Sequence, residues 1–173
     1  MDFRMYFFVP YNLSPIQQGI QAGHCALEYA VKYGRTTAYE HFIAFDKTWV
    51  ILNGGTTRDK MDKDISLAGT MNQYRQQLSV ARIPFADFIE PDLNYALTAL
   101  CFLCNECVYD YENHLDIREY LEKTERAPLS RSRSWSIEEI SNNYIQPYQE
   151  WVEYLGGADN VFLRNLLRGK KLA

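Results

Sequence analysis

Gln17, Gln21, His24 and Glu28 recur at offsets of four, three and four, a spacing that sets two amides, an imidazole and a carboxylate on one face of a helix. Such a face can hydrogen-bond a heterocycle, and the imidazole can carry a proton or stack on a base. It is also what an ordinary solvated helix face looks like, and spacing alone leaves both readings open. Further along, Glu90-Pro91-Asp92-Leu93-Asn94 places two carboxylates and an amide in a turn. There Asp92 or Glu90 is a candidate general base or ligand acceptor, or a residue that bonds its own backbone. Thr98 contributes a hydroxyl inside an apolar run, either to orient water or as a satisfied core group. Asn53-Gly54-Gly55-Thr56-Thr57 joins polar side chains to glycines that admit close backbone approach to a ligand, or that make a plain turn. Arg131 and Arg133, in the hydroxyl-rich stretch 127–134, offer guanidinium groups to a phosphate or belong to a linker.

Cys101, Cys104 and Cys107 form Cys-x-x-Cys-x-x-Cys, which suggests a metal or an iron–sulfur centre. The surrounding Ala96–Cys104 run is continuously apolar and reads as a buried strand, on which a spacing of three sends Cys101 and Cys104 to opposite faces. The expectation is therefore reduced, buried thiols, Cys25 included, with no disulfide, no metal and no cofactor.

The elements that position these groups begin with an aromatic strand over Arg4–Val9, closed by Pro10–Asn12. Ser14 then caps a helix whose first turn accepts Pro15, and Ile16, Ile20, Gly23, Leu27 and Val31 recur as its core face. Thr48–Leu52 reads as a second strand, Arg58–Asp64 as an exposed charged segment, Ile65–Ala81 as a helix and Phe85–Ile89 as a third strand. The turn at Glu90–Asn94 delivers the fourth. The order is β-α-β-α-β-β. Beyond Glu106, helices are expected over 112–123, over 137–155 and after Asp159. The middle one has a Ser136/Glu139 capping box, an apolar stripe through Trp151, a kink at Pro147 and a stop at Gly156-Gly157.

With 173 residues and 47% hydrophobic content the chain can bury a sizeable core. A formal charge of −4 argues against general attraction to duplex DNA, so any phosphate site must be local. No apolar run is long enough for a membrane span, and the N-terminal residues lack a signal peptide's basic start. A cytoplasmic protein, of the host cell if the chain is viral, is the expectation.

The aromatic strand followed by Ile20-Gln21-Ala22-Gly23-His24-Cys25-Ala26-Leu27, then Ile83–Leu93 and Ala96–Leu100, resembles the type II peptidyl-tRNA hydrolases, above all their divergent phage-type relatives. The resemblance covers roughly residues 3–105. It implies an α/β fold: a small mixed sheet with helices on its faces in a domain of residues 1–108, and a C-terminal helical extension over 109–173. Gln21 and His24 match the family's helix Gln and His, Thr98 its strand hydroxyl, and Glu90 or Asp92 stands where the family has its acid. The family's lysines do not match: their places fall around Pro15–Gln18, and its Gly-Arg-Thr-Gln turn is Pro91-Asp92-Leu93-Asn94 here. Without those cations, both the hold on a phosphate backbone and the stabiliser of developing charge are missing.

The resemblance thus implies a non-catalytic protein that holds a nucleotide in the old tRNA-end cleft. Its ligand-binding set is Gln17, Gln21, His24, Asn53, Thr56, Asp92, Asn94, Arg131 and Arg133. By analogy with phage relatives, one version is a sponge that sequesters a host nucleotide immune signal. The competing reading is a peptidyl-tRNA hydrolase acting on the tRNA 3′ end, in which Asp92 or Glu90 activates water and Thr98 and Gln21 orient it. A third is an interaction module or homo-oligomer formed through the Trp151 stripe.

Overall fold

The computed structural model describes residues 1–57, 69–125 and 135–173. The charged segment 58–64, the first residues of the helix expected from Ile65, and the loop with Arg131 and Arg133 lie outside the described residues. The chain divides into two compact units, Met1–Cys104 with Arg168–Ala173, and Asn105–Leu167.

The first unit is built on a four-stranded sheet in the order β2-β1-β4-β3. Its strands are β1 (Phe3–Pro10), β2 (Thr48–Gly55), β3 (Phe85–Glu90) and β4 (Ala96–Asn105). β1 and β2 are parallel, and β3 and β4 antiparallel, so the sheet is mixed. The helix α1 (Pro15–Tyr33) follows β1, α2 (Thr37–His41) runs into a π-helical turn (Phe42–Asp46), and α3 (Thr70–Val80) precedes β3. Residues of alternate parity on β1 serve opposite faces. Met5, Phe7 and Val9 pack with Ala22, Cys25 and Tyr29 of α1 and with Phe42. Phe8 turns the other way, its ring 4.6 Å from that of Tyr74 on α3 and 5.8 Å from Phe102. The chain end returns to the free edge of β2, where Asn53 N–H bonds Lys171 O (2.9 Å) and Ala173 N–H bonds Ile51 O (3.1 Å).

Ser14 caps α1 as expected, in a capping box with Gln17. The core face does not follow the expectation. Ile16, Ile20, Leu27 and Val31 are 78%, 51%, 66% and 83% exposed, whereas Gln18, Gln21, Ala22, Cys25 and Tyr29 are the buried residues of α1. The buried set has the same helical spacing, displaced by two residues, roughly 200° around the axis and so to the opposite side. Two glutamines can sit there because each finds a partner. Gln18 Nε2 donates to Pro10 O at 3.2 Å, and Gln21 is bonded at both ends of its amide.

The second unit contains α4 (Glu106–Tyr109), α5 (Ile117–Lys123), α6 (Ile137–Asn143), α7 (Ile145–Tyr154) and α8 (Ala158–Leu167). The helix expected from Glu112 begins only at Ile117, because the Asp110 carboxylate accepts the N–H groups of Glu112 and Asn113 and the Asn113 amide, closing a local turn instead. These hydrogen bonds, the Asn113 amide first, hold the Asp110 carboxyl below its ordinary value. The single helix expected over 137–155 is two. Pro147 has no N–H for Asn143 O and its ring crowds that carbonyl, so α6 ends at Asn143 and Tyr144 leaves helical geometry (φ −132°, ψ 57°). Gly156 and Gly157, at φ +81° and +115°, terminate α7 as the sequence implies. Trp151 is 1% exposed and packs with Ile117, Leu121, Ile140, Leu155 and Val161. The Trp151 stripe therefore supplies much of this unit's core. Arg164 is wholly buried and bonds Cys107 O, His114 O and the Asp116 carboxylate, with its guanidinium 4.0 Å from the Tyr111 ring centroid.

Candidate functional site

Three of the expected residues meet where α1 crosses the ends of β3 and β4. Thr98 Oγ1 donates to Gln21 Oε1 at 2.6 Å, and Gln21 Nε2 donates to Glu90 Oε2 at 2.8 Å. A bulge in the sheet makes this possible. Phe88 pairs with Ala99 and Ile89 with Leu97, so Thr98 is the extra residue of β4. In a regular ladder Thr98 and Ala99 would point to opposite faces; the bulge turns both toward α1.

The chain of bonds has a direction. Thr98 is 1% exposed and Gln21 8%, so neither reaches solvent appreciably, while Glu90 is half-buried at the rim. Both ends of the Gln21 amide are used, which fixes its rotamer and aims the Glu90 carboxylate. Glu90 Oε1 also accepts Asp92 N–H (3.4 Å), capping the short 3₁₀ turn Pro91–Leu93. Each carboxylate oxygen keeps a free lone pair, so Glu90 can still accept hydrogen bonds from outside.

His24, one turn beyond Gln21 on the same helix, lies flat against Phe88, two residues before Glu90 on β3. The ring centroids are 4.7 Å apart and the planes 16° from parallel. His24 is exposed, so one face of its imidazole is held by Phe88 and the other is turned outward. Around the turn, Leu93 and Tyr95 are also exposed, at 45% and 54%.

The remaining expected residues stand apart. Gln17 closes the capping box, its Oε1 accepting Ser14 N–H at 3.1 Å. Asn53 lies within β2, which runs on to Gly55 where a turn was expected, and its Oδ1 accepts Gly55 N–H at 2.8 Å beside the register shift of β1 at Val9/Pro10. Thr56 is tied to the start of α3 through Thr70 and Met71. A Cβ on Gly54 would run into the Met71 side chain and one on Gly55 into Thr70, so these glycines serve the close approach of α3. Asp92 is exposed, and Asn94 adopts φ +56° in the turn. Arg131 and Arg133 lie outside the described residues.

All four cysteines are buried free thiols. Cys25 Sγ lies 3.3 Å from Cys101 Sγ and 3.4 Å from Ala86 O. Bonding to Cys101 and burial push the Cys25 thiol well up, and burial does the same for Cys104. Both therefore hold their protons more tightly than a free thiol does. Among the described residues, three metal-ligating side chains converge at Asp2, His41 and Asp46, and not at the cysteines. That group gave no signal in the sequence, since its members lie on separate elements.

No helix among the described residues is long and apolar enough to cross a membrane. Neither a family model nor a curated protein matches this chain.

Proposed function

We propose that the first unit binds a nucleotide without transforming it, with the base against the outward face of His24 and paired donors of the ligand on the Glu90 carboxylate. The observation that carries this reading is the Thr98–Gln21–Glu90 chain, which commits two buried polar side chains to the aim of one rim carboxylate. A fixed carboxylate is an acceptor-only group and selects N–H edges or a ribose diol. An imidazole backed by an aromatic ring is a stacking platform for a base. Because Glu90 is anionic and the chain carries −4 overall, the phosphate is the part of the ligand that points away from it. In its most specific version the protein sequesters a host nucleotide immune signal; that version rests only on the resemblance of residues 3–105 to phage-type relatives.

The same trio also supports the alternative, a peptidyl-tRNA hydrolase with Glu90 as the base. In that case Thr98 and Gln21, buried and mutually bonded, position Glu90 and do not touch water. Calorimetric titration of the full chain with nucleoside mono- and triphosphates, cyclic dinucleotides, cyclic ADP-ribose derivatives and peptidyl-tRNA separates the two. A small nucleotide bound one per chain, recovered unchanged by chromatography and weakened about tenfold or more by Glu90→Gln and by His24→Ala, is expected. Release of peptide from peptidyl-tRNA would select the hydrolase. Absence of binding across the panel would remove the nucleotide reading.

A further inference from the structure

Independently of the Glu90 site, the start of β1 and the turn after α2 bring Asp2, His41 and Asp46 together. One ligand atom from each, the imidazole nitrogen and a carboxylate oxygen of either aspartate, lies within 4.8 Å of the other two. His41 Nε2 stands 3.7 Å from Asp46 Oδ2, too far for a hydrogen bond. It is close to the roughly 3.4 Å that neighbouring ligands of a tetrahedral ion hold when each bond is about 2.1 Å.

The backbone builds this pairing in an unusual way. His41 and Asp46 are five positions apart, a spacing that an α-helix would place on different sides. The π-helical turn Phe42–Asp46 has the i to i+5 bond Lys47 N–H to Phe42 O (3.0 Å), which winds Asp46 back over His41. Such turns are rare and concentrate at functional sites. One outer hydrogen bond orients Asp46 as ligating carboxylates are commonly oriented, and two aromatic rings flank His41. Asp46 Oδ2 accepts Phe3 N–H at 2.8 Å, and the His41 ring sits near Phe3 (5.8 Å) and Phe45 (4.9 Å). Asp2 is exposed, which leaves the group open to an entering ion and to water.

We propose that Asp2, His41 and Asp46 bind a divalent transition-metal ion of the zinc class, water completing its shell. One imidazole with two carboxylates suits Zn²⁺, whereas Mg²⁺ and Ca²⁺ favour all-oxygen shells. Ligands from the chain start and from the turn make the ion a latch between β1 and the α2 segment.

The test is calorimetry of the untagged, chelator-treated full chain with ZnCl₂ and separately with MgCl₂, together with the visible absorption of the Co²⁺ form. One Zn²⁺ per chain, Mg²⁺ at least tenfold weaker, and affinity reduced about tenfold or more in His41→Ala and Asp46→Asn are expected. Asp46→Asn keeps an oxygen for Phe3 N–H, and Asp2→Asn changes an exposed residue, so a variant with native circular dichroism is available even where His41→Ala fails to fold. No zinc heat, or binding that is undiminished in the folded variants, overturns the assignment.

Discussion

Replacing Thr98 by Val removes one hydroxyl and keeps the shape of the side chain, which makes it the sharpest probe of the bonded chain behind Glu90. At 1% exposure the valine meets no water, and the methyl in place of Oγ1 fills the same space. The loss falls on Gln21. Its Oε1 had a donor at 2.6 Å and is left without one in a residue only 8% exposed. A buried acceptor stranded in this way costs about 1–3 kcal/mol. Gln21→Leu strands Thr98 less severely, because its hydroxyl still has Phe88 O at 3.4 Å. With both replaced, no polar group of that pair remains to be left unsatisfied, so the double variant is destabilised by less than the sum of the two. A coupling of about 1–2 kcal/mol is expected. Urea unfolding gives the overall values, and native-state hydrogen exchange of the β3 and β4 amides reads them in the unit that holds the network. A Thr98→Val effect under about 0.3 kcal/mol with an additive cycle would show that the hydroxyl does not support Gln21, and the case for an aimed Glu90 would go with it. The same variant should weaken nucleotide binding although Thr98 cannot touch the ligand.

Three further outcomes follow from the packing and the ionisable groups. On α1, Leu27→Ala should alter stability by no more than about 0.5 kcal/mol, while Tyr29→Ala, at 3% exposure, should cost about 3–5 kcal/mol; equal effects in urea titrations would restore the apolar stripe as the core face. Cys25 and Cys104 have thiol pKa values raised in the folded chain, so the folded state keeps protons that the unfolded state loses. Their contribution is complete below the ordinary thiol range and declines as pH rises beyond about 8.5, by up to about 1.4 kcal/mol per pH unit per thiol. Urea midpoints from pH 7 to 10.5 measure this, and Cys104→Ala should flatten the slope; a slope unaffected by that change would contradict the linkage. In the second unit, Arg164→Met removes the buried guanidinium that bonds Asp116 and two carbonyls and should destabilise by about 3–5 kcal/mol, seen as early exchange of the α4 and α8 amides; protection unchanged from wild type would contradict it.

How far the sequence carries can be judged on α1 and on β4. The strands, the Ser14 cap and the turn at Glu90–Asn94 were legible because each depends on residues adjacent in the chain: a β-prone run, a proline in the first turn, a side chain bonding a backbone group three residues on. Gln21, Glu90 and Thr98 could be named as candidates from residue type and from the resemblance. Their union could not be read, since it depends on a bulge that only the pairing of β3 with β4 creates. The inverted face of α1 has the same origin. Hydrophobic periodicity assigns a core by counting apolar residues, and on this helix the count favours Ile16, Ile20, Leu27 and Val31. The sheet instead selects the face whose small residues, Ala22 and Cys25, let the helix lie close, and whose glutamines find Pro10 O, Thr98 and Glu90 waiting. Buried glutamine costs free energy when it lacks partners and little when it has them, so the order of burial on α1 is set by hydrogen bonds that arrive from residues up to 77 positions away. A helix that turns its amides inward and leaves its isoleucines outside places its polar chemistry between helix and sheet, where Gln21 can act on Glu90 and solvent cannot compete for it.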